Sequence, residues 1–375
     1  MMTGFKSVGC LALLLGFAMA AAGCSSARSR HDPVMLAAAA RPAYSVAMQQ
    51  PEMVVAVSPV RQTLQIGGSI PTLLGAGISA VQDGQHAAEV RVALGDYDAC
   101  AVFESQLVEA LEAQFGDRLE RVVPMGTAAG YRNAREAREV RMDGLRRAGY
   151  DVVLDFDLSF GIFGPQGVLA LKVDGELTDM DTGRVTWRNS LAWYSDELFA
   201  DVRWRDPMQR MTPNITAPRL TVAGNAVDQW MTDDAAPLKE RFEEAVDALV
   251  QAVLTDLGLE DTPDGLYVLG AQQLRRRQHA DAAAHFSRTL EQAPDHVEAG
   301  NGLAVALART NQLDEAVELA ERVAAAAPDY MPIHYNLAWW HAVERQDPQR
   351  ARPYYDRAVA LGASPGRRLE RAMAH

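Results

Sequence analysis

YVLGAQQLRRRQHADAAAHFSRTLEQAP (residues 267–294) and NGLAVALARTNQLDEAVELAERVAAAAP (residues 301–328) are two copies of one pattern, 34 positions apart. Leu269, Leu303 and Leu337 keep that spacing, as do Gly270, Ala304 and Ala338, then Ala282 and Ala316, then Pro294 and Pro328. A fixed period of this length marks a helix pair that cannot bury its apolar face alone and stacks on its neighbours. The small residues let paired helices approach closely, and each proline ends a second helix. A third copy opens at His334-Tyr335-Asn336-Leu337-Ala338, departs by one inserted residue around Asp347-Pro348-Gln349, and closes on Leu361-Gly362-Ala363 in place of proline.

Period and placed residues resemble the tetratricopeptide repeat (TPR) family. On that resemblance, residues 263–375 hold three repeats forming an all-α superhelix whose concave side takes a peptide or another protein. First-helix side chains line such a groove, so the candidate partner-binding residues are Gln273, Arg276 and Arg277 in copy one, Asn301 in copy two, and Asn336, Trp340 and His341 in copy three. Trp339 and Trp340 point about 100° apart on a helix, so at most one belongs in the core.

Upstream the apolar period shortens from helical to alternating. In residues 152–162, Leu154, Phe156, Leu158, Phe160 and Ile162 share one face, with Asp155, Asp157 and Ser159 on the other, which predicts a half-buried strand. Residues 168–178 and 184–194 repeat the alternation, and turns at 164–167 and 181–183 make the three an antiparallel meander. Amphipathic helices are expected at 102–115, 134–148 and 238–257, with a short strand at 119–123. The expectation for residues 51–262 is therefore an α+β sandwich, with helices on a small, mostly antiparallel sheet. The hairpin Asp179-Met180-Asp181-Thr182-Gly183-Arg184-Val185-Thr186-Trp187 resembles the D-x-x-T-G-x-x-x-W turn of the CsgG-like and LpoB-like envelope lipoproteins, a family that includes secretion pores and activators of wall synthesis.

At the N-terminus, Lys6 precedes an apolar run from Val8 to Ala22, too short to span a bilayer but the length of a signal-peptide core. Ala21-Ala22-Gly23-Cys24 follows and resembles the bacterial lipobox, which implies cleavage of residues 1–23 and lipidation of Cys24. Ser25 in the next position implies sorting to the outer membrane, facing the periplasm. Residues 24–50 lack a sustained period and are expected to be a flexible tether.

The formal charge of −13, with 13 basic and 14 acidic residues in 263–375, provides no basic face for nucleic acid. Asp155 with Asp157, and Asp179 with Asp181, lack the spacing of a calcium loop, since the twelfth place, counting Asp179 as the first, is Ser190. The scattered histidines have no zinc spacing, and Cys100 lacks a partner. Nucleophile-elbow, phosphate-loop and dinucleotide patterns are missing, so no catalytic residue, metal or cofactor is expected. Two segments invite binding roles. Gly67, Gly68, Gly75, Ala76, Ser79 and Ala80 suit close packing, and residues 199–235 hold Trp204, Met208, Met211 and Trp230 among prolines, a candidate docking loop. The expected function is a non-enzymatic, membrane-anchored adaptor that binds proteins in envelope assembly, secretion or wall synthesis. Its rival is an oligomeric, pore-forming secretion component of the CsgG type.

Overall fold

In the computed structural model, residues 36–48, 54–57, 84–124, 134–164, 166–201 and 227–374 are described. The leader, Cys24, the Gly-rich segment, Trp204, Met208 and Met211 lie outside them. Alternation in the meander yields three long strands, β4 (Val152–Phe163), β5 (Val168–Asp179) and β6 (Val185–Tyr194), paired antiparallel, with a register shift in β5–β6 between Leu177 and Thr178. The β5–β6 turn explains the D-x-x-T-G-x-x-x-W spacing. Asp179 Oδ1 accepts the N–H groups of Asp181 (2.9 Å) and Thr182 (3.0 Å), and Gly183 takes the positive φ of 68° that closes the turn. Trp187 lies over Gly175, where no Cβ would fit, and its Nε1 donates to Asp256 Oδ2 at 2.8 Å.

β1 (Pro42–Met48) and β2 (Val54–Ala56) lie along the free side of β4, both parallel to it, and β3 (Glu120–Arg121) lies parallel to β1 outside it. The order is β3-β1-β4-β5-β6, so the sheet is mixed: antiparallel in the meander, which carries most of the paired residues as expected, and parallel on the other side of β4. The expected tether at 24–50 is corrected over part of its length. Pro42–Met48 is an inner strand, with Ala43, Tyr44, Ser45 and Val46 all buried. A strand buried on both faces shows no alternation.

Helices cover both faces. α2 (Ala99–Phe115), capped by Asp98, and α4 (Ala236–Asp256) bring Phe103, Leu107, Phe242 and Leu249 onto Leu154, Phe156, Leu158 and Phe160, together with residues of a helix at 84–94 (α1). Phe160 and Phe242 meet edge to face at 5.3 Å. On the opposite face α3 (Ala134–Ala148) packs Met142 and Leu145 on Ala43, Val153 and Met180. Its Arg141 forks onto Asp155 (2.6 and 2.9 Å), and its Arg138 pairs with Glu176. Asp155, which also accepts from Ser45 Oγ at 2.6 Å, is thus committed to the sheet–helix contact.

The C-terminal third is helical throughout: α5 (Pro263–Arg275), α6 (His279–Gln292), α7 (Val297–Arg309), α8 (Leu313–Ala326), α9 (Met331–Trp339), α10 (Pro348–Ala360) and α11 (Arg367–Met373). Gly270 and Gly302 make room for Phe286, since a Cβ on either would lie 2.8 or 2.6 Å from its ring. The residues that turn each helix pair, Arg277, Asn311 and Gln346, all have positive φ (62°, 67° and 56°). The insertion in copy three therefore precedes Gln346. It is absorbed by a π-turn at Trp340–Glu344, closed by Arg345 N–H to Trp340 O at 2.9 Å, and not by the turn at 347–349. Among the described residues no helix is long and apolar enough to cross a membrane.

Candidate binding groove

Two contacts join the helical array to the sheet. The first covers the edge of β6, whose outward groups at Ser190 and Ala192 have no strand beside them among the described residues. Gln272 of α5 fills that place with its side-chain amide. Its Oε1 accepts from Ala192 N–H (3.2 Å) and its Nε2 donates to Ser190 O (2.9 Å), joined there by Arg276 Nη2 at 2.8 Å. An amide side chain carries one donor and one acceptor, as a neighbouring strand would offer.

The second contact follows at once. Ser195 ends the ladder by exchanging hydrogen bonds with Leu169, and the chain then runs as Asp196-Glu197-Leu198-Phe199-Ala200-Asp201 into the concave side of the repeats. Arg275 holds Asp196 at 2.6 Å, both side chains being more than nine-tenths buried, and its guanidinium lies 4.4 Å from the Tyr194 ring. Leu198 O accepts from Asn301 Nδ2 (2.8 Å) and Asn336 Nδ2 (3.1 Å). Asn336 Oδ1 accepts from Ala200 N–H (2.6 Å), and Arg309 donates to Ala200 O (2.5 Å). The two asparagines also bond each other at 2.8 Å. Phe199 meets the Tyr335 ring edge to face at 5.3 Å, while the hydroxyls of Tyr330 and Tyr335 donate to Glu197 (2.7 Å) and Asp201 (3.1 Å). Leu198, Phe199 and Ala200 belong to the core of the repeats.

Beside Glu197 a cavity of about 290 Å³ opens between α4, α5 and α7, lined by Arg241, Asp247, Tyr267, Arg275, His296 and Glu298 among others. Burial pushes the Glu197 carboxyl up to about 6 against the lowering bond from Tyr330. Burial would lower the His296 ring, but Asp264 (3.7 Å) and Glu298 (3.2 Å) outweigh it and hold the ring at about 9. Elsewhere, burial raises the Cys100 thiol to about 11, which keeps it protonated and a poor nucleophile at neutral pH.

Of the candidates from sequence, Asn301 and Asn336 meet in the groove, and Arg276 reaches the sheet edge instead. Gln273 is buried within α5, one residue away from the amide that does the capping. Arg277 is the exposed left-handed turn residue between α5 and α6. Trp340 and His341 are 2% exposed, the imidazole lying parallel to Tyr354 at 5.7 Å, so both are packing residues and not groove surface. Trp230 is likewise buried, its Nε1 donating to Gly167 O at 2.7 Å, so it anchors the end of its segment to the β4–β5 turn and presents no docking surface. Missed from the sequence were Arg275, Arg309, Tyr330 and Tyr335. The repeat carried a signal for three of these: Arg275 and Arg309 lie 34 apart, as do Tyr267, Asn301 and Tyr335.

No curated protein matches this chain. The tetratricopeptide repeat family model matches residues 273–338, a module that is generally non-catalytic and dedicated to protein–protein interaction. The matched stretch runs from the end of α5 into α9 and holds Arg275, Asn301, Arg309, Tyr330, Tyr335 and Asn336, the residues that bind Asp196–Asp201.

Proposed function

We propose that this protein is a protein-binding scaffold held at a bacterial envelope membrane by lipid on Cys24, facing the periplasm, and serving an assembly, secretion or wall-synthesis complex. One observation carries the binding role. The TPR groove holds Leu198–Ala200 of the same chain through main-chain hydrogen bonds from Asn301, Asn336 and Arg309, a mode that the main chain of another peptide can also use. The anchoring role rests on the lipobox resemblance. The described structure begins at Leu36, so residues 25–35 separate it from Cys24, a reach of about 40 Å at full extension.

The test is crosslinked affinity purification from detergent-solubilised membranes, run on wild type and on Asn301→Ala/Asn336→Ala, with radiolabelled palmitate incorporation measured for wild type and Cys24→Ala. A defined set of envelope proteins lost in the groove variant, and label lost in the Cys24 variant, are the expected results. One large species containing this chain alone, unchanged by the groove variant, would instead establish the oligomeric pore.

A further inference from the structure

The groove is filled from within the chain, and we propose that Glu197–Asp201 is an intramolecular ligand that a segment of another protein displaces. That foreign segment has the same chemistry: a stretch with two carboxylates four residues apart, enclosing an aromatic residue followed by a small one. The proposal rests on the protein-binding reading above and names the partner's recognition element and its regulation.

The contacts divide into two kinds. Toward the segment, Asn301, Asn336 and Arg309 bind main-chain groups, Leu198 O, Ala200 N–H and Ala200 O, contacts that do not distinguish this segment from another peptide. Identity is read at four side chains. Tyr330 and Tyr335 donate to carboxylates at positions 197 and 201, the Tyr335 ring takes the Phe199 edge, and Ala200, 6% exposed, leaves room for a small residue only. A segment serving as permanent packing would be expected to rely on apolar contact. Here fully buried amides are spent on a backbone, and vacating the groove without a replacement leaves them unpaired. A second peptide restores every one of these bonds, so exchange is far less costly than opening.

Tethering sets the threshold. A short intramolecular linkage acts as an effective concentration on the order of 1 mM, so a peptide with an intrinsic Kd of about 10 μM would bind the closed protein about 100-fold more weakly. The probe is a fluorescein-labelled synthetic peptide, SDELFAD, copied from residues 195–201, titrated against the full chain by fluorescence anisotropy. Phe199→Ser and Ala200→Pro weaken the internal segment while leaving every groove side chain in place. Each is expected to bind the probe about 10–100-fold more tightly than wild type, and Asn336→Ala added to Ala200→Pro is expected to reverse the gain at least about tenfold. Folded variants that bind no better than wild type would overturn the proposal. If neither variant folds by circular dichroism, the wild-type arm decides: millimolar unlabelled peptide should speed amide exchange across 197–201 several-fold, and unchanged exchange overturns it. Should the groove take the segment of a second copy, the wild-type chain will dimerise on concentration and the free peptide will dissolve the dimer, which overturns the foreign-ligand assignment. Peptide exchange failing while envelope proteins are still captured removes this inference alone; capture failing while peptide binds removes the envelope role alone.

Discussion

Replacing Asn336 with alanine should release the segment from the groove, and the hydrogen bonds give the size of the effect. Leu198 O keeps its bond from Asn301, but Ala200 N–H and the Asn301 carbonyl oxygen lose their partners while still buried. Each orphaned buried group costs about 1–3 kcal/mol, so docking weakens by about 2–6 kcal/mol. Asn301→Ala is milder: Leu198 O retains Asn336, and a single Asn336 N–H is orphaned, a loss of about 1–3 kcal/mol. The assay is amide hydrogen exchange by mass spectrometry on peptides spanning 195–201. Because 1.4 kcal/mol is about tenfold, Asn336→Ala should speed exchange there by about 30-fold or more, with a smaller factor for Asn301→Ala. The double variant should fall short of the sum, since both singles remove the same Asn–Asn bond. Exchange that is already unprotected in wild type, or an Asn301→Ala effect exceeding that of Asn336→Ala, would refute this reasoning.

Other consequences are open to direct measurement. Arg275→Met leaves Asp196 buried without its cation and should lower unfolding stability by about 3–5 kcal/mol in urea melts, whereas Asp196→Leu/Arg275→Met should recover most of that loss. Glu197 titrates near 6 when folded and near 4.5 otherwise, so the folded state prefers its protonated form. That stability is full below about 4.5 and is lost as pH rises through about 6; Glu197→Gln should therefore gain about 1 kcal/mol relative to wild type between pH 5 and pH 7.5, and a pH-independent difference would contradict the burial of this carboxyl. Gly302→Ala drives a methyl to within 2.6 Å of the Phe286 ring and should cost about 1–3 kcal/mol in thermal melts, with partial rescue by Phe286→Leu.

Much of the architecture was legible because it followed simple periods. The meander alternates strictly from Leu154, and the helix pairs recur every 34 residues. The Asp179–Trp187 turn was readable too, since each of its marked residues has a local task. β1 was not, because it is buried on both faces and its ladder partner lies more than a hundred residues later, as the Ser45–Asp155 contact illustrates. Trp340 and His341 were misplaced for a geometric reason. Every residue of α9 is buried, and Trp339, Trp340 and His341 are enclosed as well, so the roughly 100° between neighbours separates no groove face from a core face. The occupant of the groove left no local mark. Asp196–Asp201 reads as an ordinary loop start, and its docking depends on residues that follow it by 79 to 138 positions.

The amide cap on β6 bears on how the chain must be made. Gln272 lies 80 residues beyond Ala192, so the ribosome delivers a finished meander well before the side chain that shields its border. During that interval Ser190 and Ala192 present the open hydrogen-bonding row that recruits strands from other molecules. The repeats thus serve as a late-arriving stopper for the front half, and a nascent or proteolytically shortened chain ending before α5 is the form most exposed to aggregation.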